Sequence, residues 1–542
     1  MKDYLLPDSY TLYENSVSLK TDNASVQYVF DECEKLCKEN IKEFNDYDVL
    51  IEGAKYTGVW LETQPMGGEM YAKRNLKVAL NNILIFMRYQ RRDGKMPGMI
   101  SSGNPWSGIT AHYDWMQGCF FPFPALKMYY HIGEDKNYLK LLYEALKDFD
   151  SYLWAYRDST GDGCLESWCI WDVAEDNSTL HMLHGLQMPD HGPWGKCTPP
   201  ENYKNMPHKS PQYMGYSYAC RSALAKISEI LGNGEKEEWE NKASEVQKKA
   251  EERLWDKDRN AFFVRDKNDD FVYALTQENI KCMYSGLLTQ KMADTFIKEH
   301  LLNKEEFWTP YPLPAIAAND PYFHVNDKYS NCADKLKALG TAAHDIDDNS
   351  WSGPLAGLTW QRSIEALLNY NHHAEIVLIG KKLIELLYKT KKFIQNYNPF
   401  TGEPAKGENG YGPTMLSALE YISLLCGINV VYNSVYWSTA EMGNSEYVQN
   451  IRNRVYKITS DSEKSAIYVD GELKAEFTQG VRIKTDMNGK IEAIYGIDEK
   501  PVQFEMKYDN EIYSAVINPN EEFALENGKL ILKNKVPFDY KG

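Results

Sequence analysis

The pattern of apolar positions divides the chain into three regions. From about residue 67 to residue 430, apolar residues recur at three- and four-residue steps, which is typical of amphipathic helices. The stretch Asp135 to Tyr156 and the stretch that begins at Glu235 show this most clearly, and Gly232 is placed as a helix C-terminal glycine. Further helices are expected at 69–90, 120–131, 216–231, 357–370, 375–388 and 413–425. Many helices joined by long aromatic loops favour helical hairpins arranged in a ring, an α/α toroid.

Strand patterns flank this helical region. Before residue 67 the runs Ser25 to Phe30 and Val49 to Thr63 look strand-like, which predicts a short N-terminal β-rich segment. After about Val431 the pattern has period two, and Asn488-Gly489 is a typical two-residue hairpin turn. The predicted fold class is therefore mainly α: an (α/α)6 toroid over residues 67–430, between a β-rich segment (1–66) and a small antiparallel β domain (431–542), a sandwich.

Charge and cysteine content limit the partners and the compartment. Sixty Lys and Arg against 77 Asp and Glu give a net charge of −17, which argues against binding to nucleic acid or to an anionic membrane surface. The N-terminus shows no signal peptide, and no apolar run is long enough to span a membrane. The ten cysteines lack the grouping of a zinc site and are interpreted as free thiols. We expect a cytoplasmic protein; the oligomeric state is not indicated.

The first loop with candidate chemistry is 111–118. Aromatic residues make up 13% of the chain, more than a core usually needs, so some are expected to line a binding surface. Asp114 lies between Tyr113 and Trp115, and an acid beside aromatic rings is a common way to hold a sugar. A solvated aspartate that caps a helix explains these residues equally well.

The second candidate loop, 158–178, combines acids and indoles. The acids Asp162, Glu166, Asp172, Glu175 and Asp176 are interspersed with Trp168 and Trp171. Crowding and desolvation raise carboxyl pKa values, as a general acid near neutral pH requires. Alternatively, Asp162-Gly163 is a turn and Asp176-Asn177-Ser178 a helix N-cap; the ligand spacing of a calcium loop is not met.

The remaining polar segments are less specific. Trp351-Ser-Gly-Pro leads into a helix with Gln361, and the loop 393–413 carries Tyr397, Glu403 and Glu408, for which solvated loop acids are the default. His181, His184 and His191 lie near Asp190. We interpret them as loop histidines near a cleft, because no third zinc ligand has diagnostic spacing. Neither a metal nor a cofactor is predicted.

Taken together, these segments resemble the trehalase-like and mannosylglycerate-hydrolase-like glycosidases of glycoside hydrolase family 63, over roughly residues 67–427. The resemblance implies a six-hairpin (α/α)6 catalytic domain and an inverting mechanism. His112-Tyr-Asp-Trp-Met-Gln is similar to the element that binds the sugar in the −1 subsite, which places Asp114 there. Gly161-Asp-Gly-Cys-Leu-Glu followed by Glu175-Asp-Asn-Ser is similar to the general-acid element, so the resemblance assigns the acid to Asp176.

Two positions depart from the family pattern. Trp351-Ser-Gly-Pro resembles a W-R-G-P element but has Ser352 in place of the arginine. Phe393-Ile-Gln-Asn-Tyr-Asn-Pro-Phe-Thr-Gly resembles the last element, F-x-E-x-Y-(N/D)-P-x-T-G, but Gln395 replaces the general base. An amide has no basic lone pair at neutral pH, so it orients water without taking its proton. The general base is then the residue at position 395, if Gln395 was once Glu, and otherwise Glu408 or Glu403.

The resulting hypothesis is an inverting, exo-acting glycosidase that cleaves a small α-linked glucoside or mannoside. Asp176 is the expected acid. The expected sugar contacts are Asp114, Trp115, Tyr113, Trp171, Trp351, Gln361 and Tyr397. Two alternatives stay open: an inverting phosphorylase, which needs no base, and a sugar-binding protein without catalysis.

Overall fold

The computed structural model of the chain describes residues 5–103, 108–175, 177–184, 206–339, 347 and 351–542. Fourteen helices lie in these ranges. They are α1 (Ala24–Glu39), α2 (Gln64–Tyr71), α3 (Leu76–Arg88), α4 (Pro122–His131), α5 (Lys136–Tyr156), α6 (Thr179–His184), α7 (Pro211–Leu231), α8 (Lys236–Leu254), α9 (Glu278–Tyr284), α10 (Gln290–Phe296), α11 (Ala333–Ala338), α12 (Gly357–Leu368), α13 (His373–Thr390) and α14 (Gly412–Cys426).

Six of these helices form a closed ring. Helices α2, α4, α7, α9, α12 and α14 each contact the next in this order, and α14 contacts α2 again. Around them, α1 packs against α13 and α14, α3 against α2, α5 against α4 and α7, and α8 against α7. The ring of inner helices with an outer layer is the arrangement that the periodicity and the long loops predict.

Helix ends follow the capping chemistry in the sequence. The side chains of Asn75, Asp135 and Ser210 accept hydrogen bonds from the first backbone N–H groups of α3, α5 and α7. The cap at Asn75 explains why the single helix expected at 69–90 is two helices. Gly232 ends α7 in the left-handed region, at φ 64°, as predicted.

One N-terminal prediction is wrong. The run Ser25 to Phe30 belongs to helix α1 and not to a strand. Asn23 caps this helix by accepting hydrogen bonds from the N–H groups of Ser25 and Val26. The buried residues of α1 recur with helical spacing: Val26, Val29, Phe30, Cys33 and Cys37. The β-branched residues that suggested a strand therefore form the apolar face of a helix.

The first ten strands are mostly short. They are β1 (Ser16–Thr21), β2 (Ile41–Phe44), β3 (Tyr47–Leu50), β4 (Val59–Trp60), β5 (Met99–Ser102), β6 (Ile109–His112), β7 (Glu166–Ser167), β8 (His208–Lys209), β9 (Trp255–Asp256) and β10 (Ala261–Phe262). Six more lie between α8 and α14: β11 (Val264–Arg265), β12 (Phe271–Val272), β13 (His324–Asn326), β14 (Tyr329–Ser330), β15 (Leu355–Ala356) and β16 (Asn396–Tyr397).

The C-terminal region is an antiparallel β domain, as predicted. Its strands are β17 (Ile428–Val431), β18 (Ser434–Ser438), β19 (Ser445–Ile451), β20 (Arg454–Ser460), β21 (Lys464–Val469), β22 (Glu472–Thr478), β23 (Val481–Asp486), β24 (Ile491–Gly496), β25 (Val502–Tyr508), β26 (Glu511–Ile517), β27 (Glu521–Glu526) and β28 (Lys529–Lys535). Asn488-Gly489 lies in the turn between β23 and β24. "Mainly α" thus describes the helical ring, whereas the whole chain mixes helices with extensive sheet.

Two sheets make up this domain. One has the order β1-β19-β20-β21-β22-β25-β26 and the other β17-β18-β23-β24-β27-β28. The rings of Trp437 and Tyr456, one from each sheet, lie 5.9 Å apart between them. Strand β1 pairs with β19, with Ser16 opposite Asn450, so the N-terminal segment is built into both the sandwich and the helical ring. Among the described helices, none has the length and apolarity to cross a membrane.

Candidate active site

A cavity of about 200 Å³ opens at one end of the ring. Its walls come from segments that precede the inner helices α2, α4, α12 and α14, together with the segment before α6. The described residues that line it are Glu52, Tyr56, Trp60, Glu62, Met99, Trp115, Gln117, Trp171, Asn177, Trp351 and Gln395. Four indoles, two carboxylates and three amides therefore face a single small space.

Two of the indoles are held in contact by the backbone. The rings of Trp115 and Trp171 meet edge to face, with centroids 4.9 Å apart. The N–H of Gln117 donates to the carbonyl oxygen of Trp171 at 3.0 Å. Gln117 has φ 56°, and this left-handed conformation turns the chain back toward α4. The two tryptophan segments thus form one rigid wall.

Asp172 fixes this wall from behind. Its Oδ1 accepts the N–H of Met116 at 2.9 Å, and its Oδ2 accepts a guanidinium N–H of Arg157 at 2.6 Å. Both charged side chains are buried. Burial raises the pKa of Asp172, but the Arg157 guanidinium outweighs it and holds the pKa below its ordinary value. Asp172 is therefore an ionised positioning residue.

The expectation that this acid-rich loop raises carboxyl pKa values is thus wrong for Asp172. It is also wrong for Asp162. Burial raises the pKa of Asp162, but Lys209 and the N–H of Cys164 outweigh burial and hold the pKa below its ordinary value. Asp162 forms an ion pair with Lys209 away from the cavity, at the base of the loop. In both cases a cation from outside the loop holds the carboxylate in its ionised form.

A second wall carries Glu52, Tyr56 and Gln395. The hydroxyl of Tyr411 donates to Oε1 of Glu52 at 2.7 Å, and the hydroxyl of Tyr56 donates to Oε1 of Gln395 at 2.9 Å. The Tyr56 ring lies between Trp60 and Tyr411, with centroid distances of 6.4 and 6.1 Å. Glu52 and Gln395 are therefore joined through a pair of packed tyrosines.

Glu62 has a different environment. Its Oε2 accepts an N–H of the Arg362 guanidinium at 2.7 Å, and its Oε1 accepts the Gln117 amide at 3.2 Å. The Arg362 side chain is fully buried on α12, with its guanidinium 4.5 Å from the Phe120 ring centroid. The charge of Glu62 is thus compensated behind the cavity surface.

Comparison with protein families decides the class of enzyme. The profile of the mannosylglycerate hydrolase MGH1-like glycoside hydrolase domain matches residues 70–412, more than half of the chain. The chain belongs to this family. It is therefore a glycosidase, and the cavity lies where the loops of its family domain converge. Glu52, Tyr56, Trp60 and Glu62 precede the matched residues and complete the cavity from outside that match.

Solved structures share the fold at low sequence identity. The family 63 mannosylglycerate hydrolase from Thermus thermophilus, in complex with glucose, is 16% identical with a TM-score of 0.56, over 73% of this chain and 99% of that chain. The neutral trehalase of Saccharomyces cerevisiae is 12% identical with a TM-score of 0.50, over 78% and 80% of the two chains. A sialidase is 15% identical with a TM-score of 0.63, over 87% of this chain and 41% of that chain. No curated protein sequence matches the chain.

The structure brings four of the sequence-predicted residues of this glycosidase into the cavity. They are Trp115, Trp171, Trp351 and Gln395. Trp115 and Trp351 are buried apart from the surface that they present to this space. Gln395 is positioned by the pairing of β15 with β16, and its carbonyl oxygen accepts the N–H of Gly357 at 3.0 Å.

Three predicted sugar contacts lie elsewhere. The hydroxyl of Tyr113 donates to the carbonyl oxygen of Tyr89, and the guanidinium of Arg91 lies 5.7 Å from the centroid of the Tyr113 ring. Asp114 is half-buried and is not among the described lining residues, and its Oδ1 has no hydrogen-bond partner among the described residues. Gln361 is buried between α12 and α2, where its amide approaches Sδ of Met70 at 3.4 Å.

The predictions for the loop 393–413 also need correction. Tyr397 is buried in the ring: its hydroxyl donates to the carbonyl oxygen of Lys392 at 2.7 Å and its ring packs on Trp360. Glu403 and Glu408 are exposed on the loop surface. Their side chains lie outside the described wall of the cavity, so the carboxylates that line it are Glu52 and Glu62 instead.

Asp176, the acid assigned by the resemblance, lies outside the described residues, as do Asp190 and His191. The residues on either side of position 176 are described. Lys281 donates to the carbonyl oxygen of Val173 and to Glu175, both at 2.8 Å. Asn177 lines the cavity.

Ser352 binds the segment after position 176. Its Oγ accepts the N–H of Thr179 at 2.8 Å and donates to the carbonyl oxygen of Asn177 at 3.4 Å. The serine that replaces the family arginine is therefore buried against this segment. His181 is buried on α6 nearby, and within the described residues no group of three metal-ligating side chains occurs.

Sequence reasoning missed Glu52, Glu62 and the amides Gln117 and Asn177. Tyr56 and Trp60 lie in the run Val49 to Thr63, which was interpreted only as strand-like. The available signal was the combination of two acids and two aromatic residues within a short glycine-containing stretch: Glu52, Tyr56, Trp60 and Glu62. In a predicted β-rich entry segment, far from the other candidate loops, that signal did not indicate a site.

Proposed function

We propose that the enzyme is an inverting, exo-acting hydrolase of a small, neutral α-linked glucoside or mannoside. The observation that carries the proposal is the cavity wall, in which indoles alternate with carboxylates and amides. Indole faces pack on the C–H faces of a sugar, whereas carboxylates and amides bind its hydroxyl groups. The family 63 neighbour is a mannosylglycerate hydrolase crystallised in complex with glucose, which supports a hexose as the ligand.

The size of the cavity favours exo action. Its volume of about 200 Å³ is smaller than the roughly 300–1,000 Å³ of sites for drug-sized ligands. It has room for one sugar ring, with the leaving group toward the opening. An enzyme with this site removes a terminal residue from a short glycoside.

The charge of the wall favours a neutral sugar. Among the described lining residues, Glu52 and Glu62 are acidic and none is Lys, Arg or His. Acidic walls disfavour an anionic ligand, and a phosphate nucleophile is usually bound by Arg or Lys. The inverting phosphorylase is therefore the second candidate, kept because Gln395 lacks the basicity of a glutamate.

Asp176 is the proposed general acid. Inversion needs this acid to protonate the departing oxygen while a second carboxylate, roughly 6.5–9.5 Å away, activates water. The cytoplasm is the proposed compartment, and it fits nine described cysteines that are all buried and free of disulfides.

The test is a panel of α-disaccharides and glycosyl-glycerates incubated with and without phosphate and analysed by chromatography. We expect free sugar from a neutral α-glucoside or α-mannoside in both conditions, and loss of this activity in Asp176→Asn with the fold retained. Sugar 1-phosphate formed only with phosphate indicates the phosphorylase. Thermal stabilisation by sugar without any product indicates a binding protein.

A further inference from the structure

The position that supplies the general base in the family holds an amide here. Gln395 lines the cavity, and its Oε1 is oriented by the Tyr56 hydroxyl. An amide oxygen oriented in this way can hold a water molecule but does not take its proton at neutral pH. Hydrolysis by this cavity therefore needs a carboxylate at another position.

Glu62 is poorly suited to this task. It forms a buried ion pair with Arg362, whose side chain is fully inaccessible. A proton accepted by Glu62 neutralises it and leaves the guanidinium buried without its counter-charge, which is strongly unfavourable. Glu62 is better suited to accept hydrogen bonds from sugar hydroxyls while it stays ionised.

Glu52 has a partner of a different kind. Its Oε1 accepts a hydrogen bond from the Tyr411 hydroxyl. Burial and the nearby Glu52 carboxylate raise the pKa of Tyr411 well above its ordinary value, so this partner stays neutral. When Glu52 takes a proton, this pairing therefore loses no counter-charge, unlike that of Glu62.

Glu52 also lies on the wall that presents Gln395. Gly53 forms backbone bridges with both Tyr56 and Tyr411, and the N–H of Gly412 donates to the carbonyl oxygen of Glu52 at 2.7 Å. The N–H of Tyr411 donates in turn to the carbonyl oxygen of Phe393. These contacts fix the Glu52 segment beside the loop that carries Gln395. The Glu52 carboxylate and the Gln395 amide therefore line the same cavity from adjoining segments.

We infer that Glu52 is the general base of this glycosidase, and that Gln395 holds the attacking water. The inference rests on the proposed function. As the water oxygen forms its bond to the anomeric carbon, the bond from that carbon to the glycosidic oxygen breaks. One water proton passes to the Glu52 carboxylate, and the acid delivers its proton to the departing oxygen. Exchange with solvent then restores both groups.

The test compares the wild-type enzyme with Glu52→Gln on the best substrate of the panel. Glutamine keeps the size of the side chain and an oxygen for the Tyr411 hydroxyl, so the fold is expected to persist. We expect kcat to fall roughly 10²- to 10⁴-fold, the usual contribution of a general base. The acidic limb of the pH–rate profile should also disappear, because the group whose protonation causes it is removed. A merely structural role of Glu52 would not have this effect. The matched control is Glu245→Gln, an exposed acid on α8, which should leave kcat unchanged.

Three further measurements separate this role from others. Azide added to Glu52→Ala should restore turnover and give a glycosyl azide of inverted configuration. With an α-glycosyl fluoride, which needs no acid, Asp176→Asn should stay active while Glu52→Gln stays slow. The double variant Glu52→Gln, Gln395→Glu should regain hydrolysis, because it returns a carboxylate to the family position.

Two results would overturn the assignment, and they differ from a failure of the proposed function. Wild-type kcat in Glu52→Gln removes Glu52 from the reaction while hydrolysis stands. If Glu62→Gln or Glu408→Gln lowers kcat and removes the acidic limb of the pH–rate profile while Glu52→Gln does neither, the residue changed in the slow variant is the general base. If the wild-type enzyme releases no sugar from any substrate, the proposed function and the base assignment fall together.

Discussion

Two regions of the molecule bury charges, and they do so in different ways. One is the cavity; the other, the domain junction, lies between the helical ring and the β sandwich. The junction pairs two carboxylates with cations, Lys73–Glu420 at 2.7 Å and Lys127–Glu365 at 2.8 Å, with Arg482 beside them. Glu69 lies 3.4 Å from Nε2 of His131, whose pKa is lowered by burial. In the cavity, Glu62 has Arg362, whereas Glu52 meets a tyrosine hydroxyl.

The difference in partners distinguishes charged side chains that stabilise the fold from a carboxylate that can take part in a reaction. The junction encloses only about 50 Å³, and its ion pairs join α4 to α12 and the end of α2 to α14, within the helical ring beside the sandwich. Paired charges there hold the helices of the ring together and have no reason to change protonation at neutral pH. In the contact between Glu52 and the Tyr411 hydroxyl, proton uptake by the carboxylate breaks no ion pair, as exchange of a proton requires.

The largest effect on stability is expected at Arg362. Arg362→Met leaves Glu62 buried without its counter-charge, which should lower the free energy of unfolding by about 3–5 kcal/mol. Urea denaturation measures this loss. The double variant Arg362→Met, Glu62→Gln removes both charges and should recover a large part of it. Equal losses in the single and double variants would show that the charge pair is not the cause.

A smaller effect is expected from acid at the junction. Burial raises the pKa of Glu69, but Lys127 and His131 outweigh it and lower the pKa from 4.5 to about 2. The folded state therefore binds this proton more weakly than the unfolded state, and stability falls as the pH drops through this window. At about 1.4 kcal/mol per pKa unit, Glu69 should account for roughly 3 kcal/mol lost between about pH 5 and pH 2.

Urea midpoints measured across this pH range test the contribution of Glu69. Glu69→Gln should show a flatter dependence on pH than the wild-type protein, while kcat at neutral pH stays the same. The variant is expected to show this flatter dependence only if the Glu69 carboxylate is ionised in the folded protein. A steeper dependence in the variant would contradict the environment that the structure gives to Glu69.

A weaker effect is expected at Ser352. Ser352→Ala removes the hydrogen bonds to Thr179 and Asn177, which should cost about 0.5–1.5 kcal/mol. Because these contacts hold the segment after position 176, kcat should also fall several-fold. Ser363→Ala on α12 is the matched control: it loses similar hydrogen bonds inside the ring and should lower stability without changing kcat. Equal kcat values in the two variants would show that Ser352 does not position the acid segment.

The smallest effect is expected at an exposed pair. Lys382 and Glu385 lie 3.7 Å apart on the surface of α13. Lys382→Met should change the free energy of unfolding by less than about 1 kcal/mol, as exposed ion pairs usually do. Lys127→Met at the junction provides the contrast, since it leaves Glu365 and Glu69 buried without this cation. Similar urea midpoints for the two variants would contradict the distinction between buried and exposed charge.

Much of the fold follows from periodicity, because helical spacing and period-two alternation record which side of an element is buried. The helices from Asp135 and Glu235 and the hairpin at Asn488-Gly489 were predictable for this reason. Helix α1 was missed because its first turns carry two valines and two aromatic residues, which resemble a strand in a short window.

The site was less accessible to sequence reasoning. Local motifs identified Trp115, Trp171, Trp351 and Gln395, each in a loop with recognisable residues. They did not give side-chain direction, so Tyr397 was assigned to the wall although its hydroxyl binds the backbone of its own loop. Glu52 depends on contacts with Tyr411, 359 positions later in the chain, and no local pattern contains that information.

The stereochemistry of hydrolysis tests the central claim most directly. Proton NMR during the first minutes of reaction, with the preferred α-glycoside, identifies the anomer released before mutarotation. The account predicts that the β-anomer appears first, because a water activated at the cavity wall attacks opposite to the departing oxygen. Initial release of the α-anomer would show that the configuration is retained, and it would contradict the roles proposed for Glu52 and Asp176.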